Sequence, residues 1–170
     1  MKKFVLGILI VLSFNGFAFA LSASQQATFT VTVNSVFELS IDQGLIDFGK
    51  MNPGDQQNNI PSRGLVVTSK TNGGNPWYLK INAAVPFSSG DKIIPNSNFR
   101  WSGWSDGSGT WYGTGNNIVN PSPAIAYSSG PGEESNMPAG VLNHFKFKLN
   151  VPNNQAPGVY ATLVKFTMTE

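Results

Sequence analysis

The chain has 170 residues, a formal net charge of +2, 12% charged and 41% hydrophobic residues, 18 glycines, 11 prolines and no cysteine. That length suits one domain with a leader, and the missing thiols exclude disulfides, thiol chemistry and Cys-ligated metals. With neither a basic run nor an acidic tail, the chain has no electrostatic footprint for nucleic acid.

In chain order, Lys2 and Lys3 precede the apolar run 4–12, and Ala18-Phe19-Ala20 supplies the small-x-small pattern of a signal-peptidase site. Residues 1–20 (or 1–23, with cleavage after Ala23) read as a signal peptide, and residues 21–170 as a single exported domain. Loss of Lys2 and Lys3 leaves that domain formally neutral. The apolar run is short for a membrane span, and no later stretch is longer. The expected location is therefore the periplasm, the cell surface or the medium, without membrane attachment after cleavage.

Ala27, Phe29, Val31 and Val33 alternate with Thr28, Thr30 and Thr32. A period of two puts apolar side chains on one side of a strand, so a half-buried strand is expected there. Residues 36–42 give a second strand with Phe37, Leu39 and Ile41 on one face, and 45–48 a short third one before Gly49. Asn52-Pro53-Gly54-Asp55 reads as a turn. Residues 64–70 and 77–82 are strand candidates, and Asn72-Gly73-Gly74-Asn75-Pro76 between them suggests a hairpin.

Residues 84–140 lose the clear periodicity and read as a loop-rich excursion with short structured pieces at 99–105, 109–113 and 123–128. Phe145, Phe147 and Leu149 then alternate with Lys146, Lys148 and Asn150. A turn-rich stretch follows, and Tyr160, Thr162, Val164, Phe166 and Met168 share one face of a last strand, which reads as a C-terminal hairpin. Many short strands, frequent turn residues and no sustained helical period indicate an all-β fold, an antiparallel Ig-like or Greek-key β-sandwich.

Catalytic candidates are few. His144, the only histidine, falls in line with Lys146 and Lys148 and lacks a sequence-adjacent carboxylate to orient it. Glu133-Glu134 reads as solvated loop charge, and Asp106-Gly107-Ser108-Gly109 as a turn without the alternating acidic ligands of a calcium loop. Hydrolysis would have to rest on Glu133, Glu134 or Asp106. The expectation is no enzyme, no cofactor and no metal.

Two binding features stand out. Trp101, Trp104, Trp111 and Tyr112 crowd a Gly/Ser-rich stretch, and read either as core beneath a loop or as a surface for a glycan or partner. The segment Ala27, Phe29, Val31, Val33 reads either as a strand of its own domain or as one that adds to another subunit's sheet.

Those residues carry two resemblances. Phe29 to Val33, Val36 to Ile41, Phe48-Gly49 and the closing Pro152, Gln155, Gly158-Val159-Tyr160 and Val164 to Met168 resemble the spore coat U/archaic chaperone–usher pilin family. Phe48-Gly49, Trp77-Tyr78-Leu79 and Tyr160 to Met168, with Phe166-Thr167-Met168 in place of a second W-x-L, resemble the WxL surface domain. Either resemblance implies a non-catalytic surface module that assembles or adheres. The partners expected are other copies, related surface subunits, or a cell-wall or extracellular glycan; the alternative function is a carbohydrate-binding module.

Overall fold

The computed structural model describes residues 25–170, and the expected leader with its cleavage points after Ala20 or Ala23 lies outside them. From Asn34 to Glu170 the chain forms one compact unit. Its strands are β1 (Phe37–Ile41), β2 (Gln56–Thr71), β3 (Tyr78–Asn82), β4 (Phe87–Ser89), β5 (Lys92–Ile94) and β6 (Phe99–Ser105). After them come β7 (Thr110–Trp111), β8 (Asn117–Ile118), β9 (Ala124–Ser128), β10 (Val141–Asn150) and β11 (Lys165–Thr169). The first sheet has the order β1-β2-β10-β6-β8 and the second β11-β3-β9-β7, while β4 and β5 pair separately. All pairings are antiparallel.

Alternation orients the strands. Along β10, Val141, Asn143, Phe145, Phe147 and Leu149 are buried and the residues between them turn outward. The Phe145 ring lies 4.8 Å from Phe166 of β11 and 5.1 Å from Trp111 of β7, which joins the two sheets across one core. Toward the Leu149 end, Phe99 stacks on Phe147 at 5.5 Å and meets Phe87 and Phe48 edge-on at 5.0 and 6.2 Å. A buried aromatic removes ~150–250 Å² from water, a gross gain of roughly 4–6 kcal/mol before entropy.

The all-β antiparallel sandwich expected from sequence is the fold, but several connections differ. Residues 84–140 are no excursion. They supply β6 and β8 to the first sheet and β7 and β9 to the second. Their glycines and short strands hid them. Gly103, for instance, sits opposite Phe145 where an added Cβ would overlap the His144 carbonyl. Gly103→Ala is expected to cost about 2–4 kcal/mol; an unchanged urea midpoint would contradict that assignment.

Neither expected hairpin forms. β2 and β3 belong to different sheets, because Asn72–Pro76 crosses between them. Thr71 N–H donates to Asn136 Oδ1 (2.9 Å) and Trp77 N–H to Ser129 Oγ (2.9 Å), so both ends are tied to the segment between β9 and β10 rather than to each other. β10 and β11 are likewise split between sheets. The Pro- and Gly-rich crossing is braced by Tyr160, whose hydroxyl donates to the Ala156 carbonyl (2.7 Å) and accepts from Gln155 Nε2 (2.7 Å). Apart from one bridge between Ala161 and Ser88, strand pairing starts at Lys165, although Tyr160, Val164, Phe166 and Met168 all contact the core as their spacing foretold. Residues 45–48 form no strand, but Ile46 and Phe48 still pack on the core.

Candidate functional site: an open sheet edge

The two sheets do not match in width. β11 ends the second sheet and lies over β10 through the Phe145–Phe166 contact, whereas the first sheet continues past β10 to β2 and β1. The inward row of β1 is half open: Leu39 touches the core, but Phe37 and Ile41 are 44% and 49% exposed. Downstream, the same run of chain brings Ile46 and Phe48 to a cleft of about 560 Å³ of mixed lining, shared with Phe87, Leu149, Tyr160, Lys50 and Gln155. Among the described residues the outer edge of β11 has no strand neighbour. The β11 edge thus offers unpaired backbone, and β1 a partly uncovered apolar row.

Residues 25–33 belong to a separate unit of the chain. The half-buried strand expected over Ala27, Phe29, Val31 and Val33 is not formed; the segment takes no regular structure, and Phe29, Val31 and Val33 are 92%, 88% and 77% exposed. The alternation is real, but the chain by itself gives it no ladder to join.

The aromatic group separates. Trp101 is buried, meets Trp111 edge-on at 5.6 Å, and both rings pack on Phe145, so these two are core and not a stacking surface. Trp104 turns to the outer face of the first sheet and Tyr112 lies half exposed just past β7. The reason is parity: Trp101 shares the inward side of β6 with Phe99, and the backbone step at Gly103 leaves Trp104 facing out opposite His144. The two readings thus divide among the rings: Trp101 and Trp111 are core, and Trp104 and Tyr112 are partly exposed.

Glu133 is also corrected. It is buried, not solvated. Its Oε2 accepts from the Tyr127 hydroxyl (2.6 Å) and Gly130 N–H (2.7 Å), and its Oε1 from Ser108 N–H (2.5 Å) and Ser108 Oγ (3.2 Å). Its carbonyl accepts from Trp77 Nε1 (3.0 Å), and Gly109 N–H donates to the Tyr127 oxygen (2.7 Å). Burial opposes the charge, but the Tyr127, Gly130 and Ser108 donors overcome it and hold the carboxyl below its ordinary range. Burial, and then the Glu133 carboxylate itself, push the Tyr127 phenol well above its own. All the acceptor capacity of Glu133 is committed to the fold. Nothing in the local sequence signalled this, except that Gly130 and Gly132 let the backbone wrap a side chain.

Asp106 lies 3.4 Å from His144 Nε2, a partner that sequence proximity could not reveal, and Glu134 accepts from Gly132 N–H (2.8 Å). No family model and no curated protein matches the chain. The likeness to coat U pilins and WxL domains rests on the residues quoted above.

Proposed function

We propose that this chain is an exported, non-catalytic structural protein of the cell surface whose copies, or related subunits, join by β-strand addition. The observation that carries the reading is an unpaired strand edge at β11 in a fold whose β1 row of Phe37, Leu39 and Ile41 is left partly uncovered. The segment Ala27, Phe29, Val31, Val33 of another copy has the period and polarity to pair with such an edge. Its backbone would complete the β11 edge, and its apolar side chains would cover the β1 row while Thr28, Thr30 and Thr32 stay solvated.

The test compares residues 21–170 with a chain starting at Asn34 in unboiled SDS gels and by light scattering. A ladder from the longer chain and a single species from the shorter is expected. A strict monomer from residues 21–170 at high concentration would refute strand addition.

A further inference from the structure

We propose that the outer face of the first sheet is a binding site for a linear anionic polysaccharide, separate from the strand-addition edge. In the β10–β6 register, Lys148 stands directly opposite Arg100, and Lys146 follows two residues along, opposite Ser102. Directly opposed positions lie ~5 Å apart and positions two apart on a strand ~6.6–6.8 Å apart, so these cations form a short ladder. Like charges directly opposed destabilise a sheet unless something neutralises them. Here no carboxylate does so: among the described residues the only ion pair is His144 with Asp106.

The imbalance is local, because outside Lys2 and Lys3 the chain's acidic and basic residues are equal in number. Five of its nine carboxylates, Asp42, Asp47, Asp55, Glu133 and Glu134, accept from backbone N–H groups, Asp106 faces His144 and Glu38 stands opposite Lys70 on β1, and none pairs with Arg100, Lys146 or Lys148.

Two features hold the face ready. The Arg100 guanidinium donates to the Asn116 carbonyl (2.9 Å), fixing its direction along the β6–β8 edge. The Trp104 ring stacks on His144 (4.4 Å, 5° between planes), and the Lys146 ammonium lies 5.3 Å from the Trp104 centroid. These anchors lower the side-chain entropy lost when an anion arrives. The face is a sheet surface rather than an enclosing cavity, which suits an extended polymer bearing an acid group on successive repeats better than one small anion. Half-exposed Trp104 at the end of the ladder adds an apolar ring against which a sugar can lie.

The experiment measures retention of residues 21–170 on immobilised polygalacturonate (carboxylated), dextran sulfate (sulfated), uncharged dextran and polyphosphate. The triple variant R100Q/K146Q/K148Q is compared with an equal-charge control on other elements, K80Q/K92Q/K165Q. Binding to one or both anionic polysaccharides is expected, absent on dextran, weakened on the order of tenfold between 50 and 200 mM salt, and weakened at least tenfold by the first triple but less than threefold by the control. Equal losses in the two triples would show a net-charge effect and overturn the site. Absence of polysaccharide binding, or binding confined to polyphosphate, would overturn it too. The result is independent of assembly, since a strictly monomeric chain can still be scored for retention.

Discussion

Val31→Asp is expected to abolish self-association, whereas Thr30→Asp, one residue away, leaves it within a few fold of the parent. The contrast follows from parity. In an added strand Val31 points to the floor made by Phe37, Leu39 and Ile41, and Thr30 points to water. An unpaired carboxylate carried into that floor costs several kcal/mol, which is more than a hundredfold in the association constant. On the acceptor side Leu39→Asp is expected to have the same effect on assembly, while a mixture of Val31→Asp and Leu39→Asp chains recovers heterodimers, since each retains one intact half. Sedimentation velocity reads all three results. Equal behaviour of Val31→Asp and Thr30→Asp would mean that the segment does not join a sheet.

The second large effect is expected at Glu133. Glu133→Gln keeps the shape but sets an amide NH₂ against Gly130 N–H or Ser108 N–H, and one donor loses its acceptor. Hydrogen bonds to a charged group contribute ~1.5–3 kcal/mol each, so a loss of about 2–4 kcal/mol at pH 7 is expected, measured by urea unfolding. The pH dependence has a definite sign. The folded carboxyl titrates below its ordinary value, so its contribution is present above the unfolded pKa of about 4.3 and fades as pH falls below that value toward the folded one. The gap between parent and Glu133→Gln should accordingly shrink from pH 7 to pH 3.5. A gap that widens on acidification would contradict an ionised, donor-saturated Glu133. Tyr127→Phe, which removes one donor and bares the Gly109 N–H, is expected to cost about 1–3 kcal/mol and, by removing a donor that lowers the Glu133 pKa, to narrow the acid range over which that stability fades by raising its lower end.

How far the sequence was legible depended on what each strand faces. β1, β3 and β10 could be read because one side of each is apolar and the other polar, as in Phe145-Lys146-Phe147-Lys148-Leu149. The pairing of those strands was not legible. Local turn chemistry at Asn72–Pro76 looks like a hairpin, but the hydrogen bonds that send the chain across to the second sheet come from Asn136 and Ser129, more than fifty residues away. Residues 84–140 hid their strands because close backbone approaches, such as Gly103 against the His144 carbonyl, require glycine where a reader expects loop. At the candidate site, the alternation of Phe29, Val31 and Val33 was visible in sequence, and its lack of a place in the fold was not. The Trp-rich stretch left two readings open for a related reason. Ring density marks it equally as core or surface, and only strand parity separates buried Trp101 from exposed Trp104.

Strand addition beside β11 can be tested by geometry, because the chain has no cysteine to confuse a cross-link. Thr167 faces outward on β11 between Phe166 and Met168, and Thr28, Thr30 and Thr32 would share the solvent side of an added strand. Cross-strand neighbours have Cα atoms within the 4.4–6.8 Å range that a disulfide spans. Chains carrying Thr167→Cys are mixed under mild oxidation with chains carrying Thr28→Cys, Thr30→Cys or Thr32→Cys, and the products are resolved without reductant. Strand addition predicts an efficient intermolecular disulfide for one threonine position and weak or no linkage at the other two, set by a single register. Equal, slow linkage at all three positions would show random collision and contradict a strand docked along β11.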